Sequence, residues 1–314
     1  MKQFEYSHNN KRYHTLDYFY KQKFGYKVCK VSLNAGFTCP NIDGTKGVGG
    51  CIYCSPMGSG DYAGNKKDDL KNQFLEIKKV MNNKWPKAKY IGYFQANSNT
   101  YADVKILKRK YESILKLDDV IGLSIATRPD CINNECLNYL EELNKKTFLT
   151  IELGLQTIHE KTSKHINRCH DLKCFEDMVY KLKEKKINVV VHIINGLPHE
   201  TKEEMVETVK YINNLPIDGV KIHMLHILKN TVISKIFKEE NFHILSKEEY
   251  VDIVCEQLTC LRENIVIHRI TGDPKVDDLI DPSWLTKKFC VLNDIDKEMK
   301  KRNIIQGEKS YLLK

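Results

Sequence analysis

Six short apolar runs recur along the 314 residues, the first five each followed by a stretch of helical periodicity and the sixth by a segment of mixed polarity, and this alternation narrows the fold more than any other feature. The runs are Val28 to Leu33, Tyr90 to Gln95, Val120 to Ile125, Phe148 to Leu155, Val189 to Ile194 and Gly219 to Ile227. Amphipathic spacing predicts helices over 67–82, 103–117, 134–145, 172–185 and 202–214. Apolar strands that alternate with helices build βα units around a parallel sheet, so the expected class is α/β. A partial barrel is the expected closure, with a doubly wound sheet as the alternative. Residues 1–27 read as a basic, aromatic N-terminal extension, 28–231 as the barrel, and 232–314 as a C-terminal extension. That extension carries a predicted helix over 247–262, a strand over 265–270 and a charged tail.

The first predicted strand runs into F-T-C-P-N-I-D-G-T-K-G-V-G-G-C-I-Y-C, where Cys39, Cys51 and Cys54 form a C-x(11)-C-x(2)-C array. Three thiolates from one segment select an iron-sulfur cluster or zinc. Both usually take four protein ligands, and no fourth candidate follows Cys54 at ligand spacing. A cluster held by three cysteines leaves one iron open to a cosubstrate, as a catalytic zinc keeps an open position. Glycines 44, 47, 49 and 50 allow the backbone to pass close to such a group.

This array, with the aromatic Tyr53 just before its last cysteine, resembles the radical S-adenosylmethionine (SAM) superfamily. The usual spacing there is C-x(3)-C-x(2)-C. The longer gap, with A-G-F-T-C-P-N ahead of it and G-L-P-H-E-T at 196–201, is similar to the branch related to the catalytic subunit of Elongator. The resemblance covers about Arg12 to Asp273. It implies a partial (β/α)6 TIM-like barrel with an N-terminal flap and a short C-terminal α/β extension, a 4Fe-4S cluster and SAM. The chemistry it implies is reductive cleavage of SAM to a 5'-deoxyadenosyl radical that takes hydrogen from a substrate. An external electron donor such as flavodoxin or ferredoxin is implied as well. Kinship with the Elongator subunit, which modifies wobble uridine, suggests tRNA as substrate. The acetyltransferase domain of Elongator-type proteins does not fit in the residues after the sixth strand.

Polar motifs fall just after the predicted strands, where barrel sites lie. By resemblance, Tyr53 lies near the adenine of SAM, and the segment holding Gln95, Asn97 and Asn99 faces its amino group with amide carbonyls that accept from an ammonium. A turn-forming role for Asn97, Ser98 and Asn99 is the alternative. Ser124 and Arg128 stand in S-I-A-T-R-P-D; the guanidinium suits a carboxylate or phosphate, or a salt bridge to Asp130. Glu152 and Gln156 lie four apart in the fourth strand and so share a face. A carboxylate in an apolar strand needs a partner. By resemblance both line the SAM pocket, and Arg168 approaches the methionine carboxylate. Thr201 and Glu204 form a capping box. His223, His226 and Lys229, with His268, Arg269 and Asp273, are further candidates for proton transfer or phosphate contact.

Composition adds bounds. Eleven cysteines in a long chain without an apolar leader read as reduced thiols and metal ligands. The pairs Cys131/Cys136, Cys169/Cys174 and Cys255/Cys260 read as buried thiols. No apolar run reaches a membrane-spanning length, so a cytoplasmic protein is expected. A formal charge of +9 is a weak pointer to nucleic acid. The aromatic N-terminus either stacks on RNA or packs on the barrel as a flap. Two rival readings stand beside the radical enzyme acting on tRNA: a radical enzyme acting on a small molecule or protein, and a non-catalytic iron-sulfur or zinc protein that binds RNA.

Overall fold

A computed structural model describes residues 4–310 apart from 59 and 61. Seven parallel strands form one sheet: β1 (Val28–Leu33), β2 (Lys89–Phe94), β3 (Val120–Thr127), β4 (Phe148–Gln156), β5 (Asn188–Asn195), β6 (Gly219–Met224) and, after a short β7 (Ile227–Leu228), β8 (Val266–Arg269). Their order in the sheet is their order in the chain, with β7 set aside to pair antiparallel with β9 (Leu279–Asp281). The sheet is strongly curled. Lys221 on β6 donates to the Tyr93 hydroxyl on β2 at 3.0 Å, and Lys30 on β1 to Glu152 on β4 at 2.6 Å. In a flat sheet β2 and β6 stand four strand spacings, roughly 19 Å, apart. The fold is a partial barrel.

Each strand buries its outer face under helices. In β4, Leu149, Ile151, Leu153 and Leu155 are fully buried in the main core, while the alternate residues Thr150, Glu152, Gly154 and Gln156 point the other way. The helices between strands are α2 (Leu70–Lys84), α3 (Val104–Leu115), α4 (Asn134–Asn144), α5 (Glu160–His165), α6 (Leu172–Glu184) and α7 (Lys202–Asn213). Their starts follow local caps. The Asp69 side chain accepts from the amides of Lys71 and Asn72, which sets the start of α2 later than periodicity predicts. Thr201 and Glu204 form the predicted capping box on α7.

Three features differ from the expectation. β6 stops at Met224, three residues early, because the chain then leaves the sheet to form β7. The strand predicted at 265–270 joins the barrel beside β6 as its seventh strand, so the C-terminal extension is part of the wall. The charged tail forms helix α10 (Lys288–Lys301), which buries Val291, Ile295 and Met299. No helix of the described residues is long and apolar enough to cross a membrane.

The N-terminal extension holds helix α1 (Leu16–Phe24), capped by Thr15 and ended by Gly25 in the left-handed region. Phe19, Tyr20 and Phe24 surround Phe148 at the start of β4, and Tyr20 packs on Val28 and Ile91. Helix α1 therefore closes the N-terminal end of the barrel. Tyr13 and Tyr20 are 5% and 4% exposed, so these two rings are packing groups and are not available to stack on RNA bases. Tyr20→Ala should cost about 3 kcal/mol, the range for truncating a buried aromatic side chain. Urea denaturation at neutral pH checks this.

Candidate active site

Beneath the C-terminal ends of the strands lies a cavity of about 870 Å³. Cys39, Cys51 and Cys54 all line it from above, and Tyr20 lines it from below. The cysteine loop is tightly built. The amide of Ile42 donates to Cys39 O at 2.8 Å, that of Gly50 to Asn41 O at 2.7 Å, and that of Cys54 to Cys51 O at 3.0 Å. An isolated antiparallel bridge between Asp43 and Val48 folds the eleven-residue gap into a small hairpin. Asn167, after α5, clamps it by donating to Val48 O and Gly50 O at 3.1 and 2.7 Å. Gly47 allows a close approach here: a Cβ would come within 2.1 Å of Asn41 Oδ1 and displace that side chain.

The donors suit a cluster. The Asn41 amide reaches the Cys51 sulfur at 3.5 Å. A hydrogen bond from Cys54 is the main cause that lowers the Cys51 thiol to about 6 against its burial, with Arg128, Tyr53 and Asn41 adding to it. A thiolate is the form that ligates iron. Tyr53 lines the same cavity, and burial beside Cys51 raises its phenol well above the usual range.

The centre of the cavity is Glu152, 1% exposed. Its Oε1 accepts from Lys30 Nζ at 2.6 Å and from the Ser124 hydroxyl at 2.5 Å. Its Oε2 accepts from Lys221 and from His192 Nε2 at 2.7 Å. One carboxylate is thus gripped from β1, β3, β5 and β6, and Tyr93 on β2 joins through Lys221. Burial pushes the Glu152 carboxyl up, but Lys221, Lys30 and His192 outweigh it and hold it well below the usual carboxylate range. Burial, with Lys221 nearby, lowers His192 to about 4, so the imidazole is neutral and donates Nε2–H. The two lysines share one counter-charge unequally. Burial lowers Lys221 to about 7, helped by Lys30 and Arg269 against the pull of Glu152, whereas for Lys30 the pull of Glu152 prevails.

The other residues singled out in the sequence fall into distinct places. Gln95 and Gln156 line the cavity; Gln156 has φ of 64°, and its amide nitrogen lies where a Cβ on Gly154 would stand, at 2.6 Å. Asn97 also lines it, but its amide donates to Phe37 O at 3.0 Å and packs on Gly58, so it braces the cysteine loop. Asn99 is fully buried and donates to Phe94 O and Ala126 O, a tie between β2 and β3. Arg128 forks onto Asp130 with two bonds of 2.9 Å, so the salt-bridge alternative describes it, and its third contact is Arg168 O. Ser124 is spent on Glu152.

Arg168 is held by main-chain carbonyls, and its Nη2 is buried with no hydrogen-bond partner among the described residues. It is 1% exposed and does not line the cavity; its guanidinium donates to the carbonyls of Leu155, Thr157 and His170. It ties the segment after α5 to the end of β4 and the turn that follows it. Among the paired cysteines, Cys131, Cys136, Cys255 and Cys260 are buried, but Cys169 is exposed and Cys174 only half-buried. Sequence reasoning did not single out Lys30, Tyr93 or His192 for the site. A lysine in the middle of an apolar strand was the available signal.

The sequence and fold were compared with known proteins. Residues 44–212 match the model of the radical SAM superfamily, and residues 217–301 that of the Radical_SAM C-terminal domain. The chain is 50% identical over 305 residues to the uncharacterized protein YtqA of Bacillus subtilis (strain 168), covering 97% of this chain and 95% of that one. It is 24% identical over 181 residues to Elongator complex protein 3 of Homo sapiens, covering 56% of this chain and 31% of that protein. The structure of archaeal Methanocaldococcus infernus Elp3 superposes with a TM-score of 0.65 at 17% identity, over 91% of this chain and 67% of that one, which shows a shared fold.

Removing the central charge should be costly. Glu152→Gln leaves Lys30 and Lys221 buried without their counter-charge, and a loss of about 3 to 5 kcal/mol in urea denaturation is expected. The depressed Lys221 sets a pH dependence. Between about 7, its folded value, and about 10.4, its unfolded value, the unfolded chain binds the extra proton, so stability rises with pH across that window. Denaturation at several pH values from 7 to 10 should show this rise in the wild type and a flatter profile in Lys221→Met.

Proposed function

The chain belongs to the radical SAM superfamily, whose cofactors are a 4Fe-4S cluster and SAM, and from that premise we propose that this protein is an enzyme that cleaves SAM reductively to drive hydrogen abstraction, with tRNA as its substrate. The single observation that carries the enzymatic reading is that three thiols and a buried, charged polar layer open on one cavity. A structural metal site has no need of such a chamber. Cys39, Cys51 and Cys54 would hold the cluster, and Tyr53, Gln95, Asn97 and Gln156 would line the SAM site. When bound, these cofactors supply one-electron cleavage of a carbon–sulfur bond and the carbon-centred oxidant that takes a hydrogen atom.

The chain's own residues do the rest. Asn41 and Arg128 sit beside the thiols and favour their anionic form. Asn97 and Asn167 brace the loop, and Arg168 fixes the turn after β4 on which Gln156 stands. Helix α1 closes the far end of the barrel, which keeps bulk water from a reactive intermediate. The electron comes from an external carrier such as flavodoxin or ferredoxin, and the cytoplasm is the compartment that fits eleven free cysteines.

The finer reading, modification of wobble uridine in tRNA, is supported by the similarity to Elongator complex protein 3 and by the net charge of +9. It is a reading of kinship more than of geometry.

Anaerobic reconstitution with iron and sulfide should give absorbance near 400 nm, and dithionite with SAM should yield methionine and 5'-deoxyadenosine. Cys51→Ala should abolish both. A colourless zinc protein that releases no 5'-deoxyadenosine would overturn the radical reading. Mass spectrometry of tRNA nucleosides from a strain lacking the gene should show one modified uridine lost or stalled; an unchanged profile counts against tRNA.

A further inference from the structure

The charges that line the cavity below the cysteine loop do not balance. Six basic side chains line it against three carboxylates, Asp17, Glu152 and Asp273; Lys27 is paired with Asp17 and Arg128 with Asp130, which leaves Lys30, Lys221, Arg269 and Lys288 to Glu152 and Asp273. Glu152 is shared by Lys30 and Lys221. Asp273 is shared by Arg269 at 3.2 Å and Lys288 at 2.6 Å. Four basic groups therefore share two carboxylates, and Lys221, lowered to about 7 by burial, carries only part of its charge at neutral pH. The histidines around them, His192, His223, His226 and His268, are all pushed toward the neutral form by burial and by these same cations, so they offer hydrogen bonds without balancing charge. His268 Nδ1 is buried with no hydrogen-bond partner among the described residues.

Place matters as much as sign. Lys221 stands three residues before the end of β6, roughly 10 Å below the rim at about 3.3 Å per residue. Arg269 is its register partner on β8, the strand that completes the wall. Lys221 thus lies in the depth of the chamber, under the level of the cysteine loop and above Tyr20, while Arg269 and Lys288 are 39% and 38% exposed. A buried ammonium that shares its one carboxylate with a second lysine is held back from full charge unless another anion joins it.

We propose that the wall formed by Lys221 on β6 and Arg269 on β8 is a substrate subsite for a small oxyanion, a carboxylate or a phosphate carried by the molecule from which hydrogen is taken. This rests on the reading of the cavity as the reaction chamber. A neutral ring or aliphatic chain alone leaves Lys221 short of a counter-charge, whereas a bidentate oxyanion would accept from the Lys221 ammonium and from the Arg269 fork together. Tyr93 fixes Lys221 from the opposite side, with its hydroxyl 3.0 Å from Nζ and its ring 4.3 Å from it, so the ammonium is positioned before the anion arrives. Asp273 plays the same part for Arg269.

Calorimetric titration of the full reconstituted chain with acetate, inorganic phosphate and neutral acetamide, at constant ionic strength, tests this directly. At least one anion should bind and acetamide should not. Lys221→Met should weaken the anion by about tenfold or more, and Arg269→Gln, whose side chain is 39% exposed and whose loss the fold tolerates more readily, by several-fold. Acetate alone points to an organic acid as substrate, and phosphate alone to a phosphate ester such as a nucleotide. Binding of neither anion, or affinities unchanged in Arg269→Gln and in whatever Lys221→Met protein folds, would overturn the subsite. The outcome is separable from the radical reading: wild type that forms 5'-deoxyadenosine but binds no anion refutes only the subsite, and wild type that binds an anion but never cleaves SAM refutes only the radical reading.

Discussion

One carboxylate organises the interior of this barrel. Glu152 sits at the midpoint of β4, and the groups that reach it come from β1, β3, β5 and β6. The curl of the sheet and the Glu152 contacts imply each other, since Lys30 and Lys221 arrive at the same two oxygens only if the strands at either side bend toward the middle. Stability alone does not account for such a layer. A buried ion pair recovers little more than its own desolvation cost, and apolar residues of similar volume would hold the sheet as well. What an apolar layer cannot do is present oriented ammonium and imidazole groups to a chamber.

The cysteine loop is tied to the barrel by different means. Its backbone is bonded internally through Asn41 and externally through Asn167, while Ile52 N donates to Ile166 O and Ile233 N to Ile52 O. These bonds join the loop to the turn after α5 and to the start of helix α8 (Val232–Glu240). The eleven residues between the first two cysteines are therefore an ordered hairpin and not slack. Arg168 belongs to the same framework, because it follows Asn167 in the chain and ties that segment to Leu155 O and Thr157 O at the end of β4. An arginine that reads in sequence as a ligand for a carboxylate does its work through main-chain carbonyls.

The strands, the helices and the convergence of three cysteines were legible in the sequence because each is a local pattern: a run of branched apolar residues, a 3.6-residue period, a spacing of thiols. Glu152 was legible as an anomaly, a charge where the strand demanded none. Its partners were not. Lys30 and Lys221 are separated by almost two hundred residues, and nothing in either strand tells which cation closes on which carboxylate until the sheet curls. The same holds for β8, whose strand character was visible but whose place beside β6 is a matter of topology. Helix α1 was hidden by composition, since aromatic and lysine side chains in equal measure suit a docking helix and an RNA-binding arm alike; the burial of Tyr20 against Phe148 separates the two.

The division of labour along the chain follows from this geometry. The three cysteines and their braces at Asn97 and Asn167 lie before β6, with one further tie from Ile233 at the start of α8. Another side of the cavity wall is built later, by Lys221 and His223 on β6, by His268 and Arg269 on β8, and by Asp273 and Lys288 beyond. β6 ends early so that β7 can pair with β9, and this turns the segment around residue 273 inward toward the cavity. A C-terminal region that reads as an appendage to six βα units thus supplies one side of the cavity wall, opposite the cysteine loop.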